Sequence, residues 1–188
     1  MRAIFLDKDG TLIEDVPYNT DPRHIHLCSG AGAALRLLAA LDYRLFVVSN
    51  QDGVARGVFP EADLERVRRR IADLLFREGV QLDGFYYCPH HPDGTLARHA
   101  RACACRKPAP GMLLRAAREH GIELSASWMV GDILNDVEAG SRAGCRTLLI
   151  DNGNETEWRL GTHRIPTHIA ADLYGAAQAI AQADEVAT

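Results

Sequence analysis

The sequence predicts an α/β fold with a Rossmann-like parallel sheet and helices on both faces. Short continuous apolar runs alternate along the chain with longer segments whose apolar residues recur at helical spacing. This alternation is typical of strand–helix–strand units, in which parallel strands are buried on both faces. The chain has 188 residues, 47% of them hydrophobic, which is enough to bury a core. We therefore expect one domain, residues 1–188.

Five strands and five helices are predicted, in alternation. The first strand is the apolar run 3–6, and the helix 61–78 carries an apolar stripe that includes Leu64, Val67 and Ile71. The other predicted strands are 45–48, 84–87, 127–130 and 146–150. The other predicted helices are 33–41, 111–120, 135–142 and 172–183. The segment 152–167 contains Gly and Thr and is expected to be a loop over the sheet edge.

Composition narrows the classes of function. The formal net charge is −4 and no basic tail is present, so nucleic acid is not an expected partner. No apolar run reaches the roughly 18 residues of a membrane span. The apolar run before Asp7 is too short for a signal peptide. We expect a cytoplasmic protein, and a monomer because the sequence shows no clear association stripe.

Charged and polar residues stand where the predicted strands end. Asp7-Lys8-Asp9-Gly10-Thr11 follows the first strand, Ser49 opens the segment after the second, and Gly131-Asp132 follows the fourth. Ligands of open parallel sheets bind beyond these carboxyl ends. If the first and fourth strands are neighbours, Asp7, Asp9 and Asp132 crowd together and repel one another unless a hard cation is bound. We therefore predict a Mg²⁺ site formed by Asp7, Asp9 and Asp132.

In order and spacing, these segments resemble the four motifs of haloacid dehalogenase-superfamily phosphatases. Asp7–Thr11 resembles the first motif, Ser49 the second, Lys107 the third, and Gly131-Asp132 with Asp136 the fourth. The resemblance implies that Asp7 attacks phosphorus and forms an aspartyl-phosphate. It implies that Asp9 is the general acid and base and that its backbone carbonyl binds the metal. Ser49 and Lys107 would contact the phosphoryl oxygens, and Asp136 would orient Lys107 or a metal-bound water.

Two pairs of metal-binding residue types, separated by twelve residues, form a candidate zinc site. Cys88-x-His90 and Cys103-x-Cys105 supply one imidazole and three thiolates, which suits tetrahedral Zn²⁺ in a structural site. His91 and His99 are weaker candidates because Cys88-x-His90 matches the spacing of the second pair. Zinc would fix the loop that leads into Arg106 and Lys107. The remaining cysteines are expected to be buried or half-buried residues without a metal.

Large caps of this superfamily are inserted domains, and only about twenty residues lie between Asp9 and the first long helix, so the resemblance implies no separate cap domain. Within the superfamily, the chain resembles phosphatases that remove the 7-phosphate of D-glycero-D-manno-heptose 1,7-bisphosphate. Those enzymes make precursors of nucleotide-heptose and of the lipopolysaccharide core. The resemblance rests on the segments 49–57, 88–92 and 103–108. The residues that it assigns to substrate binding are Asp15, Val16, Pro17, Tyr18, Ser49, Asn50, Gln51, Asp52, Arg106 and Lys107.

Two alternatives stay open on the sequence alone. Histidinol-phosphate phosphatases share the motifs and a similar zinc loop, usually a shorter one, and Asp15 and Asp52 could face a cationic amine. A non-catalytic zinc-binding interaction module would explain the cysteines but would leave Asp7, Asp9 and Asp132 without a role.

Overall fold

Six parallel strands form one sheet in the computed structural model, which describes residues 1–159 and 161–187. The strands are β1 (Ala3–Leu6), β2 (Arg44–Asn50), β3 (Gly84–Cys88), β4 (Trp128–Gly131), β5 (Arg146–Ile150) and β6 (His168–Ala170). Their spatial order is β3-β2-β1-β4-β5-β6. The chain therefore winds outward from β1 in both directions, and the switch point lies at the carboxyl end of β1.

Helices cover both faces of this sheet, as the sequence predicts. They are α1 (Ala31–Ala40), α2 (Asp63–Arg77), α3 (Gly111–His120), α4 (Leu134–Ala143) and α5 (Leu173–Ala187). Alternate residues of β1 point to opposite sides: Ile4 packs in the core beneath α1, α2 and α5, whereas Phe5 packs in the core beneath α3 and α4. This alternation explains why the strand is continuously apolar.

One glycine sets how closely α4 approaches the sheet. A Cβ atom on Gly140 would overlap the Met129 side chain of β4 and crowd Thr147 of β5. The absence of a side chain lets α4 lie directly on these strands. The start of α4 is thereby held next to the carboxyl end of β4, where the polar residues predicted to act together are found.

The predicted fold class is confirmed, and the helix 111–120 and the strand 146–150 agree at both ends. The boundary predicted after residue 48 was wrong, since β2 continues through Ser49 and Asn50, which pair with β3. The strand β6 was not predicted. It has only three residues, and Ile169 in it is 57% exposed, so it has neither the length nor the burial of a typical parallel strand.

The helices of the described residues include no segment that is both long and apolar enough to span a bilayer.

The two faces of α2 allow a test of the core assignment. Ile71 is fully buried and Phe76 on the same helix is 81% exposed. We expect Ile71→Ala to lower the free energy of unfolding by about 2–5 kcal/mol, because it removes buried methylene groups and leaves a cavity. Phe76→Ala should change it by about 0.5 kcal/mol or less. Urea unfolding at constant metal content measures both values, and equal losses would contradict the assignment.

Candidate active site

Three carboxylates meet at the carboxyl ends of β1 and β4. Leu6 pairs with Val130 across these strands, so Asp7 and Asp132, which follow shortly, lie side by side. One oxygen from each of Asp7, Asp132 and Asp136 lies within 4.8 Å of the others. Asp132 and Asp136 are buried. Oxygen ligands grouped in this way are suited to a hard divalent cation.

Lys107 lies between two of these carboxylates. Its ammonium forms an ion pair with Asp7 and another with Asp136 Oδ1 at 2.6 Å, and it donates to the Val48 carbonyl at 2.9 Å. Burial alone would lower the pKa of Lys107, but the two carboxylates outweigh it and raise the pKa above its ordinary value. Lys107 is therefore a permanent buried cation that can meet an anionic ligand beside Asp7.

One lysine does not balance three carboxylates. Burial, and then the charge of Asp7, raise the pKa of Asp132 to about 6. Burial also raises the pKa of Asp136 in spite of its ion pair with Lys107. The protein alone thus disfavours full ionisation of this group, and a bound cation would restore it. The donor set and its excess charge both fit Mg²⁺.

Asn50 holds the backbone of Lys107 in place. Its side-chain amide donates to the Lys107 carbonyl at 3.1 Å and accepts from the Lys107 backbone N–H at 2.9 Å. The amide of the predicted substrate residue Asn50 is thus engaged in joining the end of β2 to the segment that carries Lys107. Ser49 is buried, and its hydroxyl accepts a hydrogen bond of 2.7 Å from Gln51.

Asp9 lies on the open side of the carboxylate group. Its Oδ1 accepts from Lys8 at 2.5 Å and its Oδ2 from Gln51 at 3.4 Å. Burial raises the pKa of Asp9, and the neighbouring Lys8 partly opposes this change. Asp9 is not among the close-lying oxygens of Asp7, Asp132 and Asp136, and a raised pKa suits a carboxyl group that carries a proton.

At two positions of this site, a carboxylate lies so close to the backbone that only glycine fits. Gly10 has φ +76°, and a Cβ atom there would overlap the carboxylate of Asp132 and the amide of Asn154. A Cβ atom on Gly131 would overlap the carboxylate of Asp136. Both positions therefore allow the acidic side chains to pack against backbone, and Gly10 also permits the left-handed turn directly after Asp9.

A cavity of about 250 Å³ opens beside Asp9. Its walls come from two loops, one after β1 and one after β2, which are far apart in sequence. Eight of the predicted substrate and catalytic residues line it, namely Asp9, Asp15, Val16, Pro17, Tyr18, Asn50, Gln51 and Asp52.

Two arginines near the site are engaged with protein groups. Asp52 forms an ion pair of 2.7 Å with Arg56. Arg106 is directed elsewhere and donates to the His90 carbonyl at 3.3 Å.

The predicted zinc ligands also come together. The thiol sulfurs of Cys88, Cys103 and Cys105 lie 3.0–3.4 Å apart, and His90 Nδ1 lies 3.4 Å from Cys105 Sγ. Three sulfurs and one imidazole nitrogen this close match the donor set of a tetrahedral Zn²⁺ site. His90 belongs to this cluster, whereas His91 and His99 do not appear in it among the described residues.

The loop after β5 reaches the site, which the sequence analysis did not predict. Asn154 Nδ2 donates to Asp132 Oδ2 at 2.6 Å, and Asn152 Nδ2 donates to the Gly10 carbonyl at 2.8 Å. Glu155 accepts from the backbone N–H of Leu134 at 2.6 Å. These residues resemble ordinary turn formers in sequence. Only the position of their loop on the same sheet edge as Asp7 indicates a role.

Comparisons with known proteins agree with this geometry. A family model for HAD-hydrolase-like proteins matches residues 104–176. The D-glycero-β-D-manno-heptose-1,7-bisphosphate 7-phosphatase of Photorhabdus laumondii is 42% identical over 148 residues, which cover 79% of each chain. The Escherichia coli K12 protein of the same name is 43% identical, over 79% of this chain and 78% of its own.

Two solved structures extend the match to nearly the whole chain. The D,D-heptose 1,7-bisphosphate phosphatase from B. bronchiseptica, solved with magnesium and phosphate, has a TM-score of 0.79 and 30% identity. The structural alignment covers 97% of this chain and 99% of the relative's chain. A HAD-like phosphatase from Mesorhizobium loti has a TM-score of 0.81 and 32% identity, over 96% of this chain and 87% of its own.

The fold and the site define a haloacid dehalogenase-like phosphatase, a hydrolase of phosphoric monoesters. Within that class the similar curated proteins share one enzyme name, and the chain belongs to the family of D-glycero-β-D-manno-heptose-1,7-bisphosphate 7-phosphatases. The resemblance drawn from the motifs is confirmed, and a non-catalytic zinc module is excluded.

The crowded carboxylates predict an unusual dependence of stability on pH. The folded-state pKa of Asp132 is about 6, above its ordinary value of 3.8. Between these values the folded protein retains a proton that the unfolded chain has lost, so stability falls as pH rises. In Mg²⁺-free buffer at pH 7.5, Asp132→Asn should be about 1–3 kcal/mol more stable than wild type.

Urea unfolding measures this difference, which should shrink toward pH 4. Dialysis without a chelator keeps the metal content of the cysteine cluster constant. The exposed Asp73, changed to Asn, is the control and should stay within about 0.5 kcal/mol of wild type. A less stable Asp132→Asn at pH 7.5 would contradict the account.

Proposed function

We propose that this protein hydrolyses the 7-phosphate of D-glycero-D-manno-heptose 1,7-bisphosphate, the substrate in the names of its relatives. The observation that carries the proposal is the convergence of Asp7, Asp132 and Lys107 beside the cavity next to Asp9. A phosphate monoester with two negative charges needs cationic groups beside the attacking carboxylate. Lys107 provides one such group, and the carboxylates provide a site for another.

Mg²⁺ would be held by the side chains of Asp7 and Asp132 together with the backbone carbonyl of Asp9. When bound, it neutralises charge on the phosphoryl oxygens and permits an anionic attacker to approach. Support for this cofactor comes from the excess of buried carboxylates and from the magnesium and phosphate in the B. bronchiseptica relative.

The reaction then follows from the residues of the chain. A carboxylate oxygen of Asp7 attacks phosphorus, and the bond from phosphorus to the sugar oxygen breaks, which leaves an aspartyl-phosphate. Asp9 gives its proton to the departing alkoxide. Asp9 next takes a proton from a water molecule that attacks phosphorus, so that phosphate leaves and Asp7 is regenerated. The Ser49 hydroxyl and the Lys107 ammonium bind the phosphoryl oxygens, and Asp136 orients Lys107.

The sugar is proposed to occupy the cavity between the loops 15–18 and 49–52. The second phosphate of a bisphosphate requires its own cation, and two arginines are near. Arg56 is held beside the cavity by its ion pair with Asp52. Arg106 donates to the His90 carbonyl in this structure and would have to turn toward the cavity to meet a phosphate. A planar guanidinium is suited to two phosphate oxygens at once.

Histidinol phosphate is the less favoured substrate. Its ammonium group would need a free carboxylate near the leaving group, and the sequence offered Asp15 and Asp52 for this purpose. The carboxylate of Asp52 is already neutralised by Arg56 at 2.7 Å. Only Asp15 is left of the two, which favours the bisphosphate.

Zn²⁺ is proposed to be structural, bound by Cys88, His90, Cys103 and Cys105. Cys88 is the last residue of β3, and Cys105 stands two residues before Lys107. Zinc at this point would tie the catalytic lysine to the sheet edge. Four protein ligands leave no position for a reacting water. We further propose a cytoplasmic monomer that binds neither nucleic acid nor membrane.

A direct comparison of two substrates tests the proposed activity. With Mg²⁺ present, kcat/KM should be at least about 100-fold higher for the heptose bisphosphate than for histidinol phosphate, since about 3 kcal/mol separates a paired from an unpaired buried charge. Asp7→Asn should reduce kcat for both substrates by about 10⁴-fold or more, because an amide is not a nucleophile. Faster hydrolysis of histidinol phosphate would overturn the substrate assignment.

Loss of zinc should reduce turnover through the loop. Cys105→Ser is expected to lose most of its zinc and to lower kcat at least about tenfold, because Lys107 is no longer held in position. Cys28→Ser is the matched control, as Cys28 lies outside the cluster and should keep its zinc. Metal analysis and steady-state kinetics measure both effects. Full turnover by zinc-free protein would show that the cluster has no part in shaping the site.

A further inference from the structure

The loop after β5 carries a residue that none of the four motifs includes. We propose that Asn154 is a positioning residue for Asp132 and thereby raises the affinity of the site for Mg²⁺. The inference rests on the proposed function, since it assumes that Asp132 is a ligand of the metal. It assigns a role to a segment that the sequence analysis treated only as a loop.

The geometry at Asp132 carries the proposal. Asn154 Nδ2 donates to Asp132 Oδ2 at 2.6 Å, and one oxygen of the same carboxylate belongs to the group shared with Asp7 and Asp136. An amide donor on one oxygen fixes the rotation of the carboxylate and favours its charged form. Gly10 lies against both groups, so close that a Cβ atom there would overlap the Asp132 carboxylate and the Asn154 amide. The three residues therefore form one packed unit.

The loop that presents Asn154 is itself fixed at both ends. Asn152 donates through Nδ2 to the Gly10 carbonyl at 2.8 Å, and its Oδ1 accepts from the Asn154 backbone N–H at 3.1 Å. Glu155 accepts from the Leu134 N–H at the start of α4. The loop thus joins the segment after β1 to the helix after β4. A residue that only filled a surface turn would not need contacts to both segments.

Hydrogen bonds to the side chains that bind a metal generally strengthen metal binding. Removing the partner of a metal-binding side chain typically costs 10–100-fold in metal affinity. Asn154 differs from the proposed catalytic residues in that its side chain donates to the carboxylate of Asp132 and has no proposed role in the transfer of the phosphoryl group. Its effect should therefore appear in metal binding and not require turnover to be seen.

The test is calorimetric titration of the zinc-replete protein with Mg²⁺, and with Mn²⁺ as a second probe. Asn154→Ala should raise the dissociation constant of both ions by about tenfold or more. Asn154→Gln keeps a carboxamide donor and should lie between Ala and wild type. Thr156→Ala, an exposed position in the same loop, should match wild type. The thermal midpoint of each metal-free variant is recorded in parallel.

A dissociation constant for Asn154→Ala within twofold of wild type would overturn the inference. A lower thermal midpoint of the same variant would then show that the residue is merely structural. Wild-type protein that binds neither ion would instead refute the proposed metal site, and the inference with it. Asp132→Asn separates these cases, because it should abolish binding wherever wild type binds.

Discussion

The concentration of negative charge at one edge of the sheet is the constraint on which the rest of the molecule depends. Asp7, Asp132 and Asp136 stand within 4.8 Å of one another, with a single buried lysine among them. Such a group is costly for a protein to hold. It is tolerated here because Lys107 pairs with two of the carboxylates and because the remaining excess charge matches a divalent cation. What makes the bare site unfavourable is also what makes it fit for binding metal and phosphate.

Much of the surrounding structure serves to hold Lys107. The carbonyl of Val48 accepts from its ammonium, and the amide of Asn50 makes two hydrogen bonds to its backbone. The cysteine cluster lies immediately before it in the chain, and the Gln51 N–H donates to the carbonyl of Cys88. The end of β2, the end of β3 and the zinc loop are thus one connected support. This arrangement explains why the proposed zinc site and the proposed catalytic lysine are neighbours in the sequence.

The sequence was sufficient for what depends on periodicity and on donor chemistry. Apolar runs identified five of six strands, and the placement of Asp7 and Asp132 at strand ends identified the charged edge. The spacing of Cys88, His90, Cys103 and Cys105 identified the cluster that the fold assembles. In each case a local pattern and a rule about parallel sheets were enough.

What the sequence could not reveal depends on contacts between distant segments. The short strand β6 exists because β5 offers an edge to it, and its own residues have no apolar pattern. Asn154 reads as a turn residue until the loop is seen beside Asp132. Asn50 was predicted from resemblance to contact substrate, and the fold adds that its amide is hydrogen-bonded to the backbone of Lys107. Side-chain amides of this kind have no periodicity, so only the three-dimensional fold identifies their partners.

The central claim is that one cation binds between the carboxylates of Asp7, which follows β1, and Asp132, which follows β4. Anomalous diffraction from crystals soaked with Mn²⁺ tests it most directly. We expect one manganese peak about 2–2.5 Å from oxygens of both Asp7 and Asp132, consistent with oxygen ligands of a hard divalent ion. A peak that touches neither carboxylate, or an empty site at saturating Mn²⁺, would contradict the account.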